Sequence, residues 1–194
     1  MKIKTFIKGI KYIPAWLVYK HSTVTVIREE LNCWCKSLRI ENISEFDNFL
    51  FLMGLPEYRS ELFWRLGSKA RVLRIITPPH SSLYIATASN MVGKGLVIEH
   101  GHSTVIHASS IGENCHVWQN VTIGKQWPGG KKPIIGNNVF ICTGAVVIGD
   151  ITIGDNVIIG ANAVVTKSVP RDCVVAGNPA MIIKKEGKRV TEKL

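Results

Sequence analysis

Isoleucine and valine recur at every sixth position through the second half of the chain. Counting in steps of six from Val105 to Val165, ten of eleven positions carry one of these two residues, and the exception is Gly129. A period of six cannot give an amphipathic helix, because successive apolar positions would lie about 240° apart around the helix axis. An even period instead keeps these side chains on one face of an extended strand.

Glycine follows the repeated aliphatic residue at five points, which marks corners between short strands. Short strands with such corners stack into a parallel solenoid, in which each coil buries its apolar residues against the next. A β-sandwich is the alternative, but it needs hairpin turns at intervals of about 8–12 residues, and the repeat region lacks them. The sequence therefore predicts a mainly β protein, with a parallel β-helix of hexapeptide repeats over residues 81–183.

Residues 1–80 have a different pattern, with apolar residues at helical spacing and prolines between the segments. They predict a small helical cap over the first coil. Residues 184–194, KKEGKRVTEKL, are basic and predict a frayed tail. The predicted organisation is thus a helical cap over residues 1–80, a β-helix over 81–183 and a tail over 184–194.

The composition of the chain indicates an anionic partner. The 194 residues include 24 basic and 14 acidic side chains, a formal charge of +10, which suits nucleic acid, an anionic membrane or a phosphate-bearing molecule. Nucleic acid is disfavoured, because the stretch from Ile135 to Val165 has no lysine or arginine and the aromatic residues lie mostly in the first 80 residues. Five scattered cysteines indicate reduced thiols in a cytoplasmic protein, and no metal-ligand spacing is evident.

Three histidines lie close together in GLVIEHGHSTVIH, and this segment carries a family resemblance. Together with IGENCHVWQNVTIG and the ending VVTKSVPRDCVVAGNPAMII, it resembles the hexapeptide-repeat acyltransferases, in their serine acetyltransferase-like branch. The resemblance is closest to the short relatives that acetylate sugars of surface polysaccharides. It implies that the β-helix winds left-handed and that acetyl-CoA is the acyl donor.

The resemblance places the catalytic base at His100. An alcohol is a poor nucleophile at neutral pH, and an imidazole suits the abstraction of its proton. Glu99 is the adjacent acid, and it is expected either to orient the imidazole or to bind the acceptor, although neighbouring residues on a strand face opposite ways.

The same resemblance assigns the donor side. Backbone contacts to the pantetheine arm are expected at Thr143, Gly144, Ala161 and Thr166, and phosphate contacts at Lys167 and Lys184. Members of the family form homotrimers with active sites between subunits, so His100 of one chain is expected to meet a donor lying along a neighbour's coils. The segment KQWPGGKK would reach across this boundary, and its Lys131 and Lys132 are expected to bind the acceptor.

Two positions depart from serine acetyltransferases. Lys131 and Lys132 replace an Arg-His pair before Pro133, and Ile85 stands where those enzymes carry the aspartate that partners the catalytic histidine. The predicted function is therefore acetyl transfer from acetyl-CoA to a hydroxyl of a sugar or polysaccharide precursor. The alternatives are a serine O-acetyltransferase and a non-catalytic β-helix scaffold.

Residues 1–20 raise one further hypothesis. Ile3, Phe6, Ile7, Ile10, Ile13 and Leu17 fall at helical spacing beside four lysines. This pattern fits a basic amphipathic helix lying on the inner face of an anionic membrane. The alternative is a helix that packs the same apolar stripe against the β-helix or a second subunit.

Overall fold

The chain folds into two compact units, which divide between residues 81 and 82. The computed structural model describes residues 9–40 and 44–194. The hypothesis for residues 1–20 therefore lies partly outside the described residues, since it includes Ile3, Phe6 and Ile7. The placement of the helical unit as a cap stays a prediction, as does the left-handed winding of the coils.

The first unit is helical, as predicted. Its helices begin at recognisable signals: Pro14 is in the first turn of one, the Ser44 hydroxyl accepts a hydrogen bond from the Asp47 N–H (3.1 Å) at the start of another, and Pro56 opens a third. In the described part of this unit the α-helices are α1 (Ile13–Lys20), α2 (Val26–Ser37), α3 (Glu45–Leu52), α4 (Pro56–Leu66) and α5 (Leu73–Ile76), with short 3₁₀ turns at Ile10–Tyr12 and Gly67–Ala70.

Helix α1 packs through a different face from the stripe noted in the sequence. Tyr12, Ala15 and Tyr19 are buried, whereas Ile10 and Leu17 are each 54% exposed. The aromatic residues decide this orientation, because the Tyr19 ring lies 4.9 Å from that of Phe49 on α3. Of the predicted stripe, Ile10 and Leu17 thus face outward, and Ile13 is half-buried. No helix in the described part of the chain is long and apolar enough to cross a bilayer.

A group of charged side chains is buried at the centre of the helical unit. Glu30, Glu61 and Arg65 are between 1% and 6% exposed. Arg65 Nε donates to Glu30 Oε1 (2.9 Å), and Trp34 Nε1 donates to Glu61 Oε2 (3.0 Å). The Arg65 guanidinium thus hydrogen-bonds to the Glu30 carboxyl group, and its charge also acts on that of Glu61. Burial raises the pKa of Glu30 to about 7 despite Arg65, and burial together with the charge of Glu30 raises that of Glu61 well above its usual range.

This pair makes the stability of the helical unit depend on pH. Because the folded-state pKa values of Glu30 and Glu61 lie above those of the unfolded chain, the stabilisation is complete below the unfolded value and is lost as pH rises through about 7. We expect the urea midpoint, followed by circular dichroism at 222 nm, to be lower at pH 8 than at pH 6. Glu61→Gln, which cannot ionise, should flatten this difference; an unchanged difference would contradict the assignment.

The second unit is a three-sided parallel β-helix. Its first face has the strand order β1-β3-β6-β9-β12, its second β10-β7-β4, and its third β15-β14-β13-β11-β8-β5-β2. Strands β1 to β13 pair only in parallel with one another, which excludes a hairpin-built sandwich. The strands are β1 (Leu83–Ile85), β2 (Val97–Ile98), β3 (Thr104–Ile106), β4 (Ser110–Ile111), β5 (His116–Val117), β6 (Thr122–Gly124), β7 (Ile134–Ile135), β8 (Phe140–Ile141), β9 (Val146–Ile148), β10 (Thr152–Ile153), β11 (Ile158–Ile159), β12 (Val164–Val165), β13 (Cys173–Ala176), β14 (Met181–Lys185) and β15 (Lys188–Lys193).

The six-residue repeat fills the core of this solenoid. From Ile111 to Val165, each repeated isoleucine or valine is at most 3% exposed. The prediction was wrong at Val105, which is 36% exposed and pairs with outward-facing Thr122, while its neighbour Ile106 is fully buried. The corner after β3 is one residue shorter than the repeat requires, so the inward position shifts by one.

Three corners run along the solenoid, and each has its own composition. The histidine corner, between the third and first faces, comprises residues 99–103, 118–121, 142–145 and 160–163. The loop corner, between the first and second faces, comprises residues 107–109, 125–133, 149–151 and 166–168. The asparagine corner comprises residues 112–115, 136–139, 154–157 and 170–172.

The asparagine corner joins successive coils through side-chain amides. Asn138 Nδ2 donates to Asn156 Oδ1 (3.0 Å), and Asn156 Nδ2 donates to Asp172 Oδ1 (2.7 Å). All three residues have positive φ, a conformation that asparagine and aspartate tolerate. Hydrogen bonds from Asn156 and Arg171 lower the pKa of Asp172, which forms the end of this ladder.

The basic C-terminal segment is ordered, which corrects the prediction of a frayed tail. Strands β14 and β15 form an antiparallel hairpin on the third face, and β14 pairs with β13. The turn at Glu186 and Gly187 has positive φ at both residues. Most side chains of β15 are exposed and both strands are rich in lysine, so composition alone suggested a solvated end.

Candidate active site

His100 lies in an insertion within the histidine corner. Val97 pairs with His116 and Val105 with Thr122, so the corner of the first coil is two residues longer than that of the next. His100 and Gly101 take up this extra length with φ values of 62° and 24°, and the His102 N–H donates to the His100 carbonyl. The His100 side chain is exposed. The insertion therefore moves the imidazole out of the regular coil without disturbing the strands on either side.

Several predicted donor residues lie on this same corner. The Asn120 N–H donates to the His102 carbonyl (2.8 Å), the Gly144 N–H to the Gln119 carbonyl (3.0 Å) and the Asn162 N–H to the Thr143 carbonyl (2.9 Å). These hydrogen bonds and the strand register show that four residues occupy the same position on successive coils: His102, Gln119, Thr143 and Ala161. We refer to them as the corner column.

Gly144 explains part of the local sequence. Its φ is +73°, a backbone conformation that favours glycine, and a Cβ there would lie 2.2 Å from the Asn162 side-chain oxygen. The Asn162 side chain therefore packs directly against the Gly144 backbone. The structure thus brings His100 together with Thr143, Gly144 and Ala161 on one corner of one chain. The predicted meeting of His100 with a donor along a neighbour's coils stays a prediction.

Gln119 is a residue that the sequence interpretation missed. Its side-chain oxygen Oε1 is buried and has no hydrogen-bond partner among the described residues. A buried amide oxygen without a donor is costly, which makes it a candidate ligand contact. Its place on the corner column becomes visible only when the register is counted across the two-residue insertion.

Glu99 is half-buried, and its charge acts on His116. Its backbone N–H donates to the Val117 carbonyl (2.9 Å), which places it level with the third face. Burial lowers the pKa of His116, and the charge of Glu99 partly opposes this shift. The orienting role of Glu99 toward His100 stays a prediction.

Ile85 ends strand β1 on the first face, where it pairs with buried Ile106. Its side chain alternates with exposed Tyr84 and so points toward the core. No acidic group is present at this position, so His100 has no carboxylate partner from β1.

The loop corner carries the predicted acceptor lysines. Lys131 Nζ lies 2.9 Å from Asp150 Oδ2, a contact that raises the pKa of Lys131. The Lys132 carbonyl accepts a hydrogen bond from Ser109 Oγ (3.0 Å), and its side chain is half-buried. Burial, followed by the charges of Lys132 and Lys125, lowers the pKa of His107. Burial and the cations of this loop thus disfavour protonation of His107.

The remaining donor residues separate into two places. Thr166 and Lys167 lie on the loop corner beside a cavity of about 160 Å³, which Pro179 and Ala180 also line. Lys167 Nζ donates to the Leu194 carbonyl (2.6 Å). Lys184 lies on β14 and lines a different cavity with Asp172 and Glu186. The structure therefore does not bring the two predicted phosphate-binding lysines together.

Comparison with known proteins agrees with the repeat architecture. Residues 132–167 match the family described as bacterial transferase hexapeptide, six repeats. This segment carries bacterial transferase hexapeptide repeats. It includes the later coils of the histidine corner, with Thr143, Gly144 and Ala161.

Curated relatives match about half of the chain. The chain is 45% identical over 103 residues to a serine acetyltransferase of Synechococcus elongatus, covering 51% of this chain and 42% of the relative. It is 46% identical over 102 residues to a serine acetyltransferase of Staphylococcus aureus, covering 51% of this chain and 48% of the relative. The chain thus matches less than half the length of these relatives. Neither is named for a sugar acceptor, so the predicted polysaccharide branch gains no support from them.

Solved structures show the same fold over most of the chain. A serine acetyltransferase from Brucella abortus superposes with a TM-score of 0.66 at 26% identity, covering 94% of this chain and 74% of that one. The similarity to enzymes of this kind therefore includes the parallel β-helix and extends over most of the described residues.

Proposed function

We propose that the protein is an O-acetyltransferase that uses acetyl-CoA as its donor. The observation that carries this proposal is the exposed His100 insertion on the same corner as the predicted donor residues Thr143, Gly144 and Ala161. Both halves of an acyl-transfer site, a base and a surface for the donor, are then on one chain. The curated relatives that match about half of this chain support the same chemistry.

The proposed reaction is a direct transfer. The His100 imidazole takes the proton of the acceptor hydroxyl while that oxygen attacks the thioester carbonyl. The new C–O bond forms and the C–S bond breaks, and the departing thiolate takes the proton from the imidazolium. The exposed position of His100 lets the acceptor approach from solvent. Atoms and charges balance without a covalent enzyme intermediate.

L-Serine is the acceptor that the named relatives favour. A sugar hydroxyl is the second candidate, and two departures at the site favour it. Ile85 provides no carboxylate from β1, and Lys131 is already paired with Asp150. A change at both positions fits an acceptor whose shape and charge differ from those of serine.

One assay separates these functions. Acetyl-CoA consumption should be measured with L-serine and, in parallel, with a panel of sugars and nucleotide sugars. We expect at least one hydroxyl acceptor to support turnover, and the faster class identifies the acceptor. Absence of turnover with every acceptor, in a protein that binds no CoA, would instead support a non-catalytic scaffold.

The outward residues of the solenoid support the proposal of a homotrimer. The third face presents His116, Phe140, Ile158 and Val174, and the first face presents Tyr84, Val105, Thr122, Val146 and Val164. Two different apolar faces that meet at the histidine corner suit a head-to-tail contact that closes into a ring. The mass measured by sedimentation equilibrium tests this proposal.

A further inference from the structure

The turn that leads from α4 into α5 exposes an unusual number of aliphatic side chains. Val72 is 63% exposed, Ile75 is 80% exposed and Ile76 is 48% exposed. Leu73, between them, is buried and anchors the turn to the helical unit. Three large aliphatic groups within five residues thus face solvent on one short ordered segment.

Three basic residues lie before and between these aliphatic residues in the sequence. Lys69, Arg71 and Arg74 are all exposed, and none of the three forms an ion pair with a described residue. Arg74 Nη2 donates to the Phe63 carbonyl (2.9 Å), and Lys69 Nζ donates to Thr23 Oγ1 (3.5 Å). Both contacts are with neutral oxygens, so no carboxylate in the described part of the chain pairs with these positive charges. The sequence has no aspartate or glutamate between Glu61 and Glu99.

We infer that residues 69–76, which we name the basic aliphatic turn, dock on an anionic phospholipid surface. Exposed aliphatic side chains can enter the boundary between headgroups and acyl chains, while the surrounding lysine and arginine side chains contact lipid phosphates. This inference concerns the helical unit and does not depend on the proposed acetyl transfer. It also differs from the sequence-based hypothesis, which placed the contact in residues 1–20.

Charge favours a lipid surface over a second copy of the chain as the occupant. A two-fold contact through this turn would bring six cations together and no acid, which like-charge repulsion opposes. Single-stranded nucleic acid is disfavoured as well, because residues 69–76 contain no aromatic side chain on which a base could stack. An anionic membrane can accommodate the aliphatic residues of the turn and can also neutralise its positive charge.

The experiment is a sedimentation assay of the full chain with vesicles of phosphatidylglycerol and phosphatidylcholine, compared with phosphatidylcholine alone. We expect binding to the anionic vesicles only, and weaker binding at high salt because the phosphate contacts are screened. Val72→Ser with Ile75→Ser should lower the partition coefficient at least about tenfold. Lys69→Glu with Arg71→Glu should lower it by roughly 25-fold, since each cation contributes about fivefold.

Two matched controls test whether the effect is local. Phe51→Ser removes a side chain of similar exposure (56%) from α3, a helix with an acidic first turn, and Lys36→Glu changes an exposed charge on α2. Both controls should bind vesicles within about twofold of the unaltered protein. Circular dichroism at 222 nm identifies any variant that fails to fold, and Lys69→Glu with Arg71→Glu, which alters only exposed side chains, then carries the test.

Three results would overturn the inference. The first is no binding of the unaltered protein to anionic vesicles, and the second is an equal loss in the two controls. The third is a change of oligomeric mass in Val72→Ser with Ile75→Ser while vesicle binding persists, which would make the turn a contact between copies.

Discussion

Replacement of His100 by alanine is expected to lower turnover by roughly 10²-fold or more, with little change in the affinity for acetyl-CoA. The imidazole is the proton acceptor in the proposed transfer, whereas the donor is expected to contact backbone groups near Thr143 and Gly144. Steady-state rates at saturating acceptor, together with calorimetric titration of CoA, measure the two quantities separately.

His102→Ala is the informative comparison, because both histidines belong to the same turn. We expect His102→Ala to lose less than about tenfold in turnover, since its backbone is tied into the regular corner column. A larger loss in His102→Ala than in His100→Ala would transfer the role of base to His102. Near-normal turnover in both variants would contradict a mechanism in which either histidine is the general base.

Arg65→Met is expected to cause the largest loss of stability, about 3 kcal/mol at pH 8, in the helical unit. The substitution keeps the volume of the side chain but leaves Glu30 and Glu61 buried without a cation. The loss should be smaller at pH 5, where both carboxyl groups take up a proton. Urea unfolding followed at 222 nm measures this difference.

A second substitution distinguishes charge from packing. Glu30→Gln added to Arg65→Met removes the unpaired carboxylate while keeping its shape, so most of the lost stability should return at pH 8. If the double variant is as unstable as Arg65→Met alone, the loss comes from packing around Arg65. The buried carboxyl pair would then have no part in the pH dependence of the helical unit.

The repeat made most of the solenoid predictable, because each inward isoleucine or valine is set by the alternation of a strand and by the coil beneath it. Its limits were local. Val105 obeys the six-residue count but points outward, since the corner after β3 is one residue short. The hairpin of β14 and β15 was missed because its strands are rich in lysine and only partly buried.

The site was predictable where it depends on motif and unpredictable where it depends on register. His100, Thr143, Gly144 and Ala161 were identified from the motif that they share with known acyltransferases, and the structure places them on one corner. Gln119 has no motif of its own, and only strand pairing shows that it lies between His102 and Thr143. The pairing of Glu30 and Glu61 was equally hidden, because the two residues are distant in sequence and each fits an ordinary helix.

The two-residue insertion at His100 and the long loop at residues 125–133 have a consequence for how such a protein can change. In both places the strands before and after the extra residues pair in register with the coil above. The length of a corner is therefore free to vary while the inward column and its burial stay constant. A lineage that inherits this solenoid can explore new acceptors by altering corner segments, with little penalty to the folded framework, so the framework can be far older than the specificity it now carries.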